Sequence, residues 1–112
     1  MPSDFGDVVL VSFPFTSQTA AKKRPAVVVS NSAYNRQKPD LVIMAITSQL
    51  RASASFGELW LSDWSSANLL RPSGIKPVFA TIEQNLIQRH LGKLSSRDQA
   101  ALRHTISSVL GM

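Results

Sequence analysis

The chain has 112 residues, room for one domain with one core and one site. Hydrophobic residues make up 44% and charged residues 17%, a balance that predicts a folded globule and argues against a disordered chain. There is no cysteine, which excludes a disulfide framework, a zinc ribbon and a thiol nucleophile, and 12 Lys and Arg against 7 acids give a net charge of +5 that favours a polyanion such as nucleic acid.

The first seven residues lack the basic-then-apolar layout of a secretory signal, and no apolar run is long enough to span a membrane. With the missing cysteines, this predicts a cytoplasmic protein and no membrane partner. Gly6-Asp7 then opens Val8-Val9-Leu10-Val11-Ser12-Phe13, a β-branched and aromatic run too short for a buried helix and read as a first strand. Pro14 ends it, and the segment to Lys23 carries no apolar periodicity, so a polar loop is expected.

Pro25-Ala26-Val27-Val28-Val29 reads as a second strand with its proline at the first position or on an edge. Residues 30–40 are turn-rich, and Leu41-Val42-Ile43-Met44-Ala45-Ile46-Thr47 reads as a deeply buried third strand with Thr47 at the surface. Glu58-Leu59-Trp60-Leu61 gives a weaker fourth strand. Ser62-Asp63 is then a candidate cap for one helical turn through Trp64 to Asn68. Residues 74–82 read as a fifth strand in which Pro77 calls for an edge or a bulge.

Near the end, Ser96 with Gln99 three residues on reads as a capping box, followed by Leu102, Ile106, Val109 and Leu110 at helical spacing. Gly111 closes this amphipathic helix. The fold class predicted is mainly β: five or six strongly bent antiparallel strands with a C-terminal α-helix.

If the first three strands form a meander, Lys22-Lys23-Arg24, Thr47-Ser48-Gln49 and Lys76 come together. Cations beside hydroxyl and amide groups suit phosphate chemistry better than acyl transfer. Arg24 is the most useful of them, because a guanidinium gives phosphate two parallel hydrogen bonds and stays charged. Each residue alone also has an ordinary reading: a solvated loop tip for Lys22 and Lys23, a strand-start ion pair for Arg24, a strand end and turn for Thr47 to Gln49.

The order of the pieces is more telling. Gly6-Asp7-Val8-Val9-Leu10-Val11, then Phe13, then a polar loop ending Lys23-Arg24-Pro25-Ala26-Val27-Val28-Val29-Ser30, resembles the amino-terminal signature of the MazF/PemK toxins of type II toxin–antitoxin systems. Ile46-Thr47-Ser48-Gln49 and Gly92-Lys93-Leu94 are similar to further segments of that family. The resemblance is weakest over residues 50–75.

It implies an SH3-like barrel with a terminal helix, a homodimer, and metal-independent cleavage of single-stranded RNA with no cofactor. The RNA's own 2′-hydroxyl would attack phosphorus, leaving a 2′,3′-cyclic phosphate and a 5′-hydroxyl. Arg24 and Thr47 stand where the family's catalytic Arg and Thr stand. On this reading Arg24 stabilises the phosphorane oxygens and steers a proton to the leaving oxygen, Thr47 holds a non-bridging oxygen, and backbone N–H groups near Ser48 assist. Lys22, Lys23, Ser48, Gln49, Arg51 and Lys76 are the expected RNA contacts. The other implied partner is an acidic antitoxin.

One departure is specific. Several family members carry an acid in the first loop shortly before the Arg, and residues 16–23 here contain none. No general base is therefore identified; Glu58 and Glu83 are candidates without positional support, and His90 and His104 read as surface or helix residues. Trp60 and Trp64 read as packing residues before base-stacking ones. Phe13 is assigned to the core, and Phe15 is open to either role. Two other functions fit the same barrel. One is a CcdB-like toxin that binds DNA gyrase, for which the tail from Ser107 to Met112 offers no bulky contact residues. The other is a plain RNA-binding module.

Overall fold

The computed structural model describes residues 3–12 and 23–112, and Phe13, Phe15 and Lys22 lie outside these. The apolar runs all become strands: β1 (Asp7–Ser12), β2 (Lys23–Val28), β3 (Asp40–Thr47), β4 (Leu59–Trp60) and β5 (Gly74–Glu83), joined by β6 (Ile87–Lys93). They form one antiparallel sheet in the order β4-β5-β3-β2-β1-β6. The meander of β1, β2 and β3 is as expected.

The apolar runs are continuous because both faces of the central strands are covered. Val8, Val27 and Met44 are partners on one face and join Leu61, Ala67, Leu69 and Leu102 in one core cluster. Val9 and Ala26 begin the other face, whose cluster includes Val11, Val28, Leu41, Ile43 and Ile82.

The sheet's curl follows from its connections. β5 and β6 are four strand spacings apart, about 19 Å in a flat sheet. They are joined only by a 3-10 turn, Gln84–Leu86, and the four residue steps from Glu83 to Ile87 reach at most about 14 Å when fully extended. The sheet must therefore bend until its two sides approach, and Ile82 and Ile87, on either side of the turn, meet in the same core cluster. Register shifts in β6 against β1 contribute to the bend.

Helix α2 (Ser96–Leu110) covers one face through Leu102 and Ile106. Its cap differs from the expectation by one residue: Ser95 is the N-cap and its hydroxyl accepts from Asp98 N, so the capping pair is Ser95/Asp98 and not Ser96/Gln99. Gln99 instead donates to the Leu94 carbonyl. Asp98, only 1% exposed, has a second task, accepting the backbone N–H groups of Ser62 and Asp63 at 3.0 and 2.8 Å. Gly111, at φ 72°, closes the helix as expected, whereas Leu110 leaves the predicted stripe and is exposed.

The turn at Ser65–Ala67 is a 3-10 segment whose N-cap, Trp64, makes no side-chain cap bond, so Ser62 and Asp63 do not cap it. Asn68 ends it in the left-handed region at φ 64°, and its amide donates to the Leu91 carbonyl at 2.6 Å. Pro77 lies where β5 bulges: β3 advances from Met44 to Ile46 while its partners on β5 go from Phe79 to Ile75. The ladder thus never asks the proline for an N–H.

Two elements go beyond the sequence reading. A short helix α1 (Ser32–Gln37) occupies the turn-rich stretch, capped by Asn31 and fixed by the buried Asn35, which donates to the Ser3 carbonyl. β6 was not assigned as a strand, because Gln88, Arg89 and His90 interrupt any apolar pattern. Among the described residues no helix is long and apolar enough to cross a membrane.

Candidate functional site

β2 and β3 pair one for one from Val28↔Ile43 through Ala26↔Ala45. The pairing ends there, and Arg24 and Thr47 lie two residues further along β2 and β3. Strand alternation puts Arg24 on the face of Ala26 and Val28 and Thr47 on that of Ala45 and Ile43, which is the same face of the sheet. Arg24 is exposed and Thr47 half-buried. Both line one cavity of about 580 Å³ at the start of β2 and the end of β3.

The lining of that cavity is cationic. Arg24 of β2, Arg71 of the loop before β5, Lys76 of the β5 bulge and Arg89 of β6 contribute, and among the described residues no carboxylate does. Ser48, Gln49, Asn68 and Ser73 add hydrogen-bonding groups, and Ile46, Leu69 and Leu91 an apolar wall. Such a chamber lowers the energy of an anion before any specific contact forms.

Thr47 is oriented by its own strand end. Its Oγ1 accepts the Gln49 backbone N–H at 3.1 Å, a bond that does not use the hydroxyl hydrogen. That N–H, one of those expected to help stabilise charge, is thereby already engaged. Thr47 pairs with Gly74 across β3 and β5, and a Cβ on Gly74 would come within 2.8 Å of Trp60 and 3.0 Å of Leu50. The close approach that Gly74 permits brings β4 and its loop against the site.

A second cavity of about 370 Å³ shares Thr47, Gln49 and Lys76 with the first. Arg51, Glu58 and Trp60 complete its polar and aromatic lining. Glu58 Oε2 accepts from Arg51 at 3.0 Å and Oε1 from Ser55 N at 2.8 Å, and the carboxyl is held below its ordinary range. The largest cause is the Ser55 backbone N–H; the hydrogen bond and charge of Arg51 and the charge of Lys76 act in the same direction, against partial desolvation.

A model of the PemK-like, MazF-like toxins of type II toxin–antitoxin systems matches residues 4–110. The chain belongs to this family. No curated protein sequence matches it. The toxin's fold is similar to that of MazF from Deinococcus radiodurans, with a TM-score of 0.76, 23% identity, and coverage of 100% of this chain and 99% of that one. An endoribonuclease from a mycobacterial species gives a TM-score of 0.79 at 17% identity over 100% of this chain and 94% of that one. A mycobacterial endoribonuclease in complex with its cognate antitoxin gives 0.77 at 17% identity over 99% and 95%.

Of the residues singled out in the toxin's sequence, Arg24, Thr47, Ser48, Gln49 and Lys76 meet at the first cavity, while Arg51 lies in the second, paired with Glu58. Lys23 is exposed on β2 and lines neither. His90 and His104 are exposed and line neither; His90 is hydrogen-bonded to Ser3 Oγ. Trp64 packs against the core, as expected, whereas Trp60 faces the second cavity. Asn68, Arg71 and Arg89 were missed. They lie more than forty positions from Arg24, and only the net positive charge hinted at them.

Proposed function

We propose that this toxin is a metal-independent endoribonuclease that cleaves single-stranded RNA, with Arg24 and Thr47 as its catalytic residues. The observation that carries this reading is that both line one cavity whose described residues include four cations and no carboxylate. A phosphodiester placed between them meets a fork of guanidinium donors on one side and a hydroxyl donor on the other.

In this mechanism the 2′-oxygen attacks the adjacent phosphorus and the bond to the 5′-oxygen breaks, leaving a 2′,3′-cyclic phosphate. Negative charge builds on the non-bridging oxygens, where donors fixed in advance lower the barrier most. Arg24 takes the larger share and directs a proton to the departing 5′-oxygen; Thr47 holds the other non-bridging oxygen. Lys23, Ser48, Gln49, Arg51, Arg71, Lys76 and Arg89, with Lys22 from the first loop, contact neighbouring nucleotides. These contacts give affinity that weakens as salt rises.

The toxin acts as a homodimer in this reading, and an acidic antitoxin restrains it by competing for the cationic cavity. Phe56 and Leu70, 83% and 94% exposed, offer apolar anchors for such protein contacts. The test is incubation of purified toxin with a long RNA in excess chelator, followed by mapping of the new ends. Cuts at a recurring short sequence with 5′-hydroxyl ends are expected; cuts that vanish with chelator, or no cuts, overturn the proposal.

A further inference from the structure

Attack by a 2′-hydroxyl needs an acceptor for its proton, and the first loop holds no acid or imidazole from Phe13 to Lys22. Among the described residues the first cavity has no carboxylate either, and no histidine lines either cavity. Glu58 is the single acid among the described residues lining the two chambers, and its chamber opens onto Thr47, Gln49 and Lys76 of the other.

We infer that Glu58 is the general base of the cleavage reaction, reaching the 2′-hydroxyl from the second cavity while Arg24 and Thr47 hold the phosphate. This rests on the endoribonuclease reading above. Glu58 accepts the 2′-hydroxyl proton as the 2′-oxygen bonds to phosphorus. The phosphorus bond to the 5′-oxygen breaks, and that oxygen takes a proton from solvent beside Arg24. Glu58 then returns its proton to solvent, so no net proton is gained or lost.

The surroundings of Glu58 suit this task. Its side chain is 16% exposed, so it is fixed yet reachable. Each oxygen spends one acceptor site, on Ser55 N or on Arg51, and a carboxylate has about four such sites, leaving room for a hydroxyl. The charges that face it are Arg51 of the β3–β4 loop and Lys76 of β5. From α2, which packs on β4, the side chain near Gly57 is the uncharged Val109. These cations and the Ser55 N–H hold the carboxyl below its ordinary range, which keeps it in the carboxylate form that can accept a proton.

The test measures single-turnover cleavage of one defined RNA by the full chain from pH 5 to pH 9. The parent rate is expected to be flat through neutrality. In E58Q the rate falls about 10²- to 10⁴-fold at pH 7 and rises roughly tenfold per pH unit as hydroxide replaces the lost base. R51M removes a cation beside Glu58 and moves the acid limb of the profile to higher pH.

A parental rate in E58Q, or a reduced rate with the parent's flat profile, overturns the assignment; the second result means that Glu58 only shapes the chamber. A change in the bases flanking the cut at an unchanged rate overturns it as well. E58D, which keeps the carboxylate, covers the case in which E58Q does not fold: a slower E58D with the parent's flat profile supports the inference, and an E58D rate that climbs with pH overturns it. Failure of the parent to cleave any RNA is seen before any variant is made, and overturns the nuclease reading itself.

Discussion

Arg24 at the start of β2 and Thr47 at the end of β3 line the same cavity, each two residues beyond the last β2–β3 pair, Ala26↔Ala45. Sharing one cavity wall, the two side chains are placed to approach one phosphate from β2 and from β3. Pro25, which cannot donate to the ladder, lies just beyond the last β2–β3 pair, while Arg24 stays paired with Val11 of β1 and Thr47 with Gly74 of β5.

Removing either partner should therefore reduce cleavage far more than folding. R24A and T47A are each expected to lower the cleavage rate by about 10²- to 10³-fold, the usual cost of one charge-stabilising donor. R24K keeps the charge but loses the fork and should recover only part of the rate. The measurement is single-turnover cleavage beside thermal melting; near-parental rates in both alanine variants would place the chemistry elsewhere.

Arg71 and Arg89 line the cavity without a carboxylate partner among the described residues. If both meet RNA phosphates, R71A and R89A should each weaken RNA binding at low salt and reduce the slope of log affinity against log salt by about 0.7 for a single strand. Titrations at several salt concentrations give this directly, and an unchanged slope in either variant excludes that residue from the RNA path.

Gly92 sets how closely the loop before β5 lies on β6. A Cβ there would come within 2.7 Å of the Ala67 carbonyl oxygen, a backbone atom that cannot swing aside. G92A should lower stability by about 1–3 kcal/mol and, because the same loop carries Asn68 and Arg71, weaken RNA binding too. Thermal melting and a binding titration should show both losses; a parental melting temperature would mean that the loop relaxes freely.

Asp98 ties that loop to α2 from its other end. D98A leaves the N–H groups of Ser62 and Asp63 without their acceptor in a covered site and should cost about 1–3 kcal/mol, whereas D98N keeps one oxygen acceptor and should cost less. Chemical denaturation of the two variants distinguishes this from a general charge effect, which would make them equal.

Asp63 adds a pH dependence. Hydrogen bonds from Arg97 and then Ser95, with the Arg97 charge, hold its carboxyl below the ordinary value. A group whose pKa is depressed by folding contributes stability that is present above its unfolded pKa and is lost as pH falls through the folded one. The melting temperature should thus drop on acidification below about pH 4, near the unperturbed pKa of an aspartate. D63N should flatten part of that drop, and an identical acid profile in parent and variant would remove Asp63 as a cause.

The strands and the terminal helix were legible in the sequence because their signals are local. Val8 to Val11, Ala26 to Val29 and Leu41 to Ile46 are unbroken apolar runs of strand length, and Leu102 and Ile106 keep helical spacing against one core. Arg24 and Thr47 were nominated by the family-like segments they sit in, since position alone leaves an ion pair at a strand start and an ordinary strand end. β6 was not, because Gln88, Arg89 and His90 hide a strand held by its pairing with β1. The helix cap was misplaced by one residue because Ser95 and Ser96 are both good N-caps and only the bond to Asp98 N decides between them.

Composition, periodicity and residue order thus determined the strand count to within one and the basic character, while the family resemblance nominated the Arg–Thr pair. Tertiary structure alone decided which other groups join that pair. Arg71, Arg89 and Glu58 come from separate stretches of chain: the curl forced by the short β5–β6 turn brings Arg89 to the first cavity, whereas the pairing of β4 with β5 sets Glu58 in the second. Proximity created by closing a sheet depends on the whole topology, so no local pattern of residues can encode it.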